Sequence, residues 1–426
     1  MCMKLLVLLM LATASRGDQS TLAPAATALL AGIDPPRIEI SRDLGQLTVT
    51  FTGVLQMSPT VTGPWTDQST AVSPFHPDGK SGLTFYRSAG PSAQSIFASR
   101  SIVDLVITGP LQAHFNLAAA GSPDGIFPPH REKPPFEGMV KLGALELPVG
   151  LRVRGNSSLQ ECPFPKLTLK VAKASREGTP FFDAREIKIG THCADGGHGN
   201  VGRLRDERAT YREVLAYETM DLMGFLSPRV RRAEIEFRDT TPTNGGVEGG
   251  WQITRKAMLL EDPEVVGERL GGHALDDLEL EKLTDAGFGE QLITDLRLLH
   301  VLLGNWDYAL SFDGRGLWNT DVISLPDGKL VPMLGDFDLA SWVTGTVRRT
   351  FPQDYRPELP DLDRRARYEL EQIQASIKLE IFRAAQDRFI AHREAIQSLA
   401  TSAEVDEEGR TNVLKHIEAF YSAINE

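Results

Sequence analysis

Four side chains in one stretch, Val301 to Trp342, have the types and order of a phosphoryl-transfer site: Asp307, Asn319, Asp336 and Asp338. Asp307 closes an apolar run with helical character. Two short apolar segments after Asn319 flank Pro326-Asp327-Gly328, a turn signal, and the stretch ends on Asp336-Phe337-Asp338. In phosphoryl transfer one acid orients the attacking hydroxyl, while an amide and a later acid hold Mg²⁺. On this reading Asp307 faces the hydroxyl, and Asp336 with Asp338 and Asn319 holds the metal. Asn319 stands twelve positions after Asp307, further than in a short catalytic loop, and Asn305 is a second amide nearby.

Such a site also needs a cation for the phosphates. Arg152-Val153-Arg154-Gly155-Asn156-Ser157-Ser158 is a polar turn carrying a glycine, and Phe164 to Lys170 follows it. Period-two alternation there puts Lys166, Thr168 and Lys170 on one strand face and Leu167 and Leu169 on the other. A lysine on a strand after such a turn can reach nucleotide phosphates. Both Lys166 and Lys170 qualify, and a solvated strand face would show the same pattern.

The run Glu207 to Gly224 predicts a helix with Tyr211, Leu215, Glu218 and Leu222 on one stripe. A carboxylate on an apolar stripe needs a cationic partner. The expectation is therefore a pair between Glu218 and Lys166 or Lys170. Glu213 lies off the stripe and is the weaker candidate.

A chain of 426 residues suggests two or three domains. With 41% hydrophobic and 24% charged residues it has a globular composition. Its net charge of -12, without a basic stripe, speaks against nucleic acid as a partner. Lys4, the eight-residue apolar run Leu5–Ala12 and the small residues after it read as a secretory signal peptide over residues 1–17. That run is too short to span a bilayer, and no other stretch reaches spanning length. The expected location is outside the cytoplasm: periplasmic, cell-surface or secreted. Export leaves Cys162 and Cys193 in an oxidising compartment. A bridge between them would close a loop of about 30 residues, worth roughly 3–4 kcal/mol in the chain-entropy model.

Residues 18–36 read as a linker rich in Ala, Thr and Pro. Residues 37–96 read as a small all-β module, from the alternation in Ile38-Glu39-Ile40 and Leu47 to Phe51 and the turn signals Gly63-Pro64 and Pro77-Asp78-Gly79. This stretch resembles the small β-sandwich modules appended to bacterial exported proteins. Residues 100–426 form the main domain. Strands are expected at Ile102–Ile107, Phe136–Val153, Val230–Phe237 and Trp251–Leu260, and helices at Arg364–Ala400 and Glu404–Ile424.

Five pieces then stand in order across roughly residues 100–345: RGNSS with FPKLTLK, YREVLAYETMDLMGFLSPRVRRAEIEF, RKAMLLED, LLGNWD and PMLGDFDLAS. Together they resemble the CotH-type spore-coat kinases, a family of atypical protein kinases. The resemblance implies an α+β fold: a protein-kinase-like domain with a β-rich N-lobe (about 100–262) and a helical C-lobe (about 263–426), preceded by the all-β module. It implies ATP with Mg²⁺ or Mn²⁺, and a protein substrate at the cell surface or outside the cytoplasm. It implies Lys166 as the phosphate-contacting lysine with Glu218 as its partner, and Arg154 near the phosphates. Asp307 would be the base-like catalytic Asp and Asp336, with Asp338 beside it, the metal acid. A competing reading is a non-catalytic surface-binding protein on the same frame. A hydrolase is disfavoured, because the chain has neither Gly-x-Ser-x-Gly nor His-Glu-x-x-His.

Overall fold

The computed structural model describes residues 38–43, 46–51, 54–58, 66–67, 85–89, 95–120, 133–155, 162, 164–192, 207–242, 250–280, 283, 288–310, 317–345 and 362–425. The expected signal peptide, the first linker, both turn signals of the all-β module, Asn156–Ser158 and Cys193 lie outside them. So the Cys162–Cys193 pairing does too. The chain divides into two compact units, residues 1–93 and 94–426. Among the described residues, no helix is long and apolar enough to cross a membrane.

Every described residue of the first unit is in a strand. β1 (Ile38–Asp43) pairs antiparallel with β2 (Gln46–Phe51). β3 (Val54–Ser58) runs antiparallel to both β4 (Thr66–Asp67) and β5 (Phe85–Ala89).

The second unit begins with a barrel. Its strands are β6 (Val103–Gly109), β7 (Phe136–Leu142), β8 (Leu145–Arg154), β9 (Lys166–Val171), β10 (Glu186–Thr191), β11 (Val230–Asp239) and β12 (Gln252–Glu261). They close in the order β10-β12-β11-β6-β7-β8-β9, with β9 hydrogen-bonded back to β10. Every pair is antiparallel except β6 with β11. Leu151, Val153, Leu167, Leu169, Ile187, Ile189, Ile235 and Phe237 fill the interior. Ile96 joins that core and donates its N–H to the Pro180 carbonyl at 2.7 Å. Gly138 sits where β7 crosses close to β6 and β8. A Cβ there would fall 2.6 Å from Leu151 Cδ1 and 2.7 Å from the Thr108 carbonyl, so only glycine fits.

The remaining elements are mostly helical. Helix α1 (Leu111–Ala120) follows β6, and α2 (Ala209–Leu222) lies between β10 and β11 in the chain. After the barrel come α3 (Pro263–Arg269), the two-residue strand β13 (His273–Ala274) and α4 (Glu290–Leu303). Hairpin β14 (Thr320–Ser324) with β15 (Leu330–Leu334) follows, then α5 (Leu362–Ser376), α6 (Leu379–Ser402) and α7 (Glu407–Ile424).

The barrel and helices meet on β12. Ala257 and Leu259 point into the barrel, whereas Met258 and Leu260 join the core built by α2 and the later helices. A strand covered on both faces reads as a continuous apolar run, which AMLL does. Helix α2 is likewise buried from Ala209 to Met220, not along one stripe.

The closed barrel corrects the expected kinase-like two-lobed domain. Alternating segments were correctly read as strands. Period-two alternation, however, reports only which face of a strand is apolar and says nothing of which strand is its neighbour. Closure depends on the parallel β6–β11 pair and on β12 pairing back with β10, both long-range pairings. The architecture is a seven-stranded barrel with a helical region packed against it.

Arg212 of α2 ties this helix to the chain's last one. It is 3% exposed and holds Asp406 through two bonds, Nε to Oδ2 at 2.8 Å and Nη2 to Oδ1 at 2.7 Å. Asp406 also caps α7 by accepting from the Gly409 N–H at 2.8 Å. Burial pushes its carboxyl up, but the Arg212 hydrogen bonds, the Gly409 N–H and the Arg208 charge outweigh this and hold it below the usual carboxylate range. A lowered folded-state pKa contributes stability that is complete above the unfolded value, near 3.9, and is lost as pH falls through the folded value. Asp406→Ala strands the Arg212 charge and should destabilise by about 3 kcal/mol at pH 7. Denaturant melts of the two proteins should converge as pH drops below about 4. A constant gap across that range would contradict the assignment.

Candidate active site

Lys166, the first residue of β9, brings the barrel to the acids. Its Nζ lies 2.8 Å from Asp338 Oδ2 and 3.3 Å from Asp336 Oδ1. The lysine and Asp338 side chains are 17% and 7% exposed, while Asp336 is 49% exposed. Lys170, four residues further along the strand, is exposed and pairs in register with Glu186. Of the two lysines, Lys166 is the one that lies beside the acids.

The acids are positioned by the aromatic residue between them. Phe337 is fully buried, edge-on to Tyr217 at 4.9 Å between ring centroids and 6.4 Å from the His300 ring. With Phe337 held in the core between α2 and α4, its neighbours are forced to the surface of that core. Asp336 has φ +53°, ψ +59°, a left-handed conformation uncommon for a non-glycine residue. Its N–H is held by the Tyr217 hydroxyl oxygen at 3.0 Å. Burial is the main cause raising the Tyr217 pKa well above its ordinary value, followed by the charges of Glu213 and Asp336. The phenol therefore stays neutral. Arg154, which pairs with Lys166 across β8 and β9, acts on Tyr217 in the opposite direction.

Asp307 is held to the same end of the hairpin. Helix α4 ends at Gly304, whose φ of +61° turns the chain into Asn305-Trp306-Asp307. A Cβ at Gly304 would meet Ser341 Cβ at 2.6 Å, and the Gly304 carbonyl accepts the Ser341 N–H at 2.9 Å. Asp307 is 8% exposed. Its N–H donates to Asn305 Oδ1 at 3.2 Å, and its Oδ1 accepts from Trp318 Nε1 at 3.0 Å. Asn319 Nδ2 donates to the Asp307 carbonyl at 2.8 Å, and the Asn319 carbonyl accepts the Gly335 N–H at 2.9 Å. Backbone hydrogen bonds and one amide therefore connect Asp307 to the residue just before Asp336. Asn319 also has φ +53°; it and Asp336 are the only non-glycine residues with positive φ among the described residues. Such strain persists only where surroundings impose it, and it concentrates at functional sites.

Beneath this loop His300 is fully buried and stacked on Tyr308 at 3.6 Å. Burial lowers its pKa to about 3, so the ring is neutral at ordinary pH. Its Nδ1 lies 3.2 Å from Asn305 Nδ2. Asn305 is thus committed inside the protein, and Asn319 is the amide on the hairpin side.

Glu218 does not meet Lys166. It forms a bidentate pair with Arg232 of β11, at 3.0 and 2.9 Å, and both side chains are buried. Arg100 lies 3.8 Å from the same carboxylate. Arg232 projects from the outer face of the barrel against α2, and a planar guanidinium satisfies both carboxylate oxygens at once. Position 218 therefore serves the interface between β11 and α2. The carboxylate of α2 whose charge reaches Tyr217 is Glu213, one turn earlier and also buried. The sequence placed Glu213 off the apolar stripe, but α2 has no polar side over most of its length. Tyr217 and Trp318 were missed altogether, although Tyr217 follows Glu213 at a one-turn spacing that puts the two on one face.

No family model matches the chain, and no curated protein matches it. Among solved structures it is similar to the crystal structure of a Helicobacter pylori proinflammatory kinase, CtkA, at 8% identity and a TM-score of 0.32, covering 61% of this chain and 91% of that one. At that identity and TM-score the likeness carries no argument about fold or activity. The CotH family is not shown by these comparisons.

Among the described residues, no group of three or more His, Cys, Asp and Glu side chains is placed to hold a metal ion. Asp336 and Asp338, gathered on one ammonium, offer two carboxylates. That suits a cation such as Mg²⁺, which is commonly held by one or two carboxylates together with substrate phosphates. The pairing of Glu218 has its own consequence. Glu218→Ala leaves Arg232 charged and buried and should cost about 3–5 kcal/mol. Thermal or denaturant melts read this directly; a variant as stable as the parent would refute the structural role of the pair.

Proposed function

We propose that the chain is a phosphotransferase that takes the γ-phosphate of ATP, with Mg²⁺ or Mn²⁺, to a hydroxyl of a protein substrate. One observation carries the reading: Lys166 lies within hydrogen-bonding reach of both Asp336 and Asp338, beside a hairpin end to which Asp307 is fastened. The proposal rests on this site and not on the two-lobed kinase architecture, which the closed barrel replaces.

Each residue has a task suited to its surroundings. Asp307, oriented by Trp318 Nε1 and by its own N–H on Asn305, would accept a hydrogen bond from the substrate hydroxyl and align it for in-line attack. Lys166 would move from the carboxylates to phosphate oxygens, exchanging one set of anionic partners for another. Asp336, half exposed, and Asp338 would take the cation, which when bound screens charge developing on the phosphates. The acceptor proposed lies outside the cytoplasm, on the strength of the signal-like residues 1–17.

Two measurements test this. A thermal-shift titration with ATP should raise the melting temperature only when Mg²⁺ or Mn²⁺ is present, by roughly 2.7 kcal/mol of added stability at a hundredfold excess over Kd. Asp336→Ala should lose that shift. Asp307→Ala should keep the shift yet lose phosphate transfer from labelled ATP by at least about 100-fold. Absence of any shift under every metal would reject the reading and favour a binding protein without nucleotide.

A further inference from the structure

Tyr217 of α2 directs its hydroxyl at backbone. The side chain is 1% exposed, and its oxygen accepts the Asp336 N–H at 3.0 Å. A Cβ built on Gly335 would lie 3.7 Å from the same oxygen, so the phenol tip faces the chain at both residues. The ring itself packs edge-on to Phe337 at 4.9 Å. One side chain thus stands against three successive residues of the acidic turn. Asp336 comes just before the 3-10 turn Phe337–Leu339, and its side chain makes no cap hydrogen bond to that turn. In a 3-10 turn, residues two apart project about two thirds of a turn apart. A regular continuation back through Asp336 would therefore separate its carboxylate from that of Asp338. The left-handed break at Asp336, φ +53° and ψ +59°, is where the chain leaves that path, and both carboxylates meet Lys166.

We propose that Tyr217 is a positioning residue for the metal-binding acid: its hydroxyl holds Asp336 in the left-handed conformation that keeps this carboxylate beside that of Asp338. The inference rests on the phosphotransferase reading, which assigns Asp336 and Asp338 to a cation. A non-glycine residue keeps such a conformation only where its surroundings impose it. Asp336 is the more exposed of the two acids and the further from Lys166, so its backbone tether matters more. Phenylalanine at 217 would fill the same space and pack on Phe337, so packing alone does not call for the hydroxyl. Tyr211 of the same helix offers a contrast. Its hydroxyl is also buried, but it donates to the Ala233 carbonyl at 3.1 Å and ties α2 to β11.

The test is a thermal-shift titration of the full chain with Mg²⁺ at a fixed excess of ATP, run on wild type, Tyr217→Phe and Tyr211→Phe. The readout is the Mg²⁺ concentration that gives half of each protein's own shift, so a lower starting melting temperature does not enter it. Tyr217→Phe should raise that concentration roughly 2- to 10-fold, the span of one ordinary hydrogen bond. Tyr211→Phe, which removes a buried hydroxyl from the same helix, should leave it at the wild-type value. An unchanged midpoint in Tyr217→Phe overturns the inference and leaves the phosphotransferase reading standing. Equal rises in both variants overturn it too, because they report a loosening of α2 as a whole. No metal-dependent shift in wild type rejects the phosphotransferase reading, and the inference with it.

Discussion

The contact on which the arrangement turns is the Lys166 ammonium lodged against Asp338 and Asp336, residues about 170 positions later in the chain. It is the electrostatic join between barrel and helical region. A lysine this far from solvent is tolerated because carboxylates face it, and the carboxylates are tolerated because the lysine does. Neither partner can be understood from its own element. The strand supplies a cation at the barrel rim, and the hairpin supplies two anions held there by Phe337. Two carboxylates share one ammonium.

The barrel makes this possible by being rigid on both sides of β12. Its inward residues pack the barrel and its outward residues pack α2, so the wall between the cores has no solvated face. Helix α2 then works as a strut. Tyr211 donates to the Ala233 carbonyl of β11, Glu218 grips Arg232, Arg212 reaches Asp406 at the start of α7, and Tyr217 holds the Asp336 N–H. Four side chains of one helix thus fasten the barrel, the last helix and the acidic turn. A helix loaded on every side cannot show a polar stripe, and α2 shows none.

That explains what could be read from the chain and what could not. Local features were legible: the strands of the barrel other than β10, the helices after residue 362, the turn at Pro326-Asp327-Gly328, and the grouping of Asp336 with Asp338. Each depends on periodicity or on residues close in sequence. Lys166 was legible too, as one of two lysines on a polar strand face. The partner of Glu218 was not. A stripe argument assumes one buried face, and on α2 it singled out a carboxylate that does need a cation but found the wrong one, because Arg232 becomes its neighbour only when β11 packs against the helix. The closed barrel was unreadable for a similar reason. The β6–β11 and β10–β12 pairings are tertiary, and no local signal encodes them.

Backbone strain ties these strands of argument together. Asn319 and Asp336 occupy left-handed conformations at the open end of one hairpin, where register sets Thr320 opposite Leu334 and the Asn319 carbonyl on the Gly335 N–H. Asparagine and aspartate are the non-glycine residues that accept this region most readily. Glycine would enter it with less strain, so the choice of side chain at both points exceeds what the turn requires. At position 319 the amide is used, to hold the Asp307 carbonyl. At position 336 the carboxylate is used, against Lys166. The conformational cost at each residue is offset by a polar contact that glycine could not make. A hairpin serving only to connect α4 to the last helices would have no need of either.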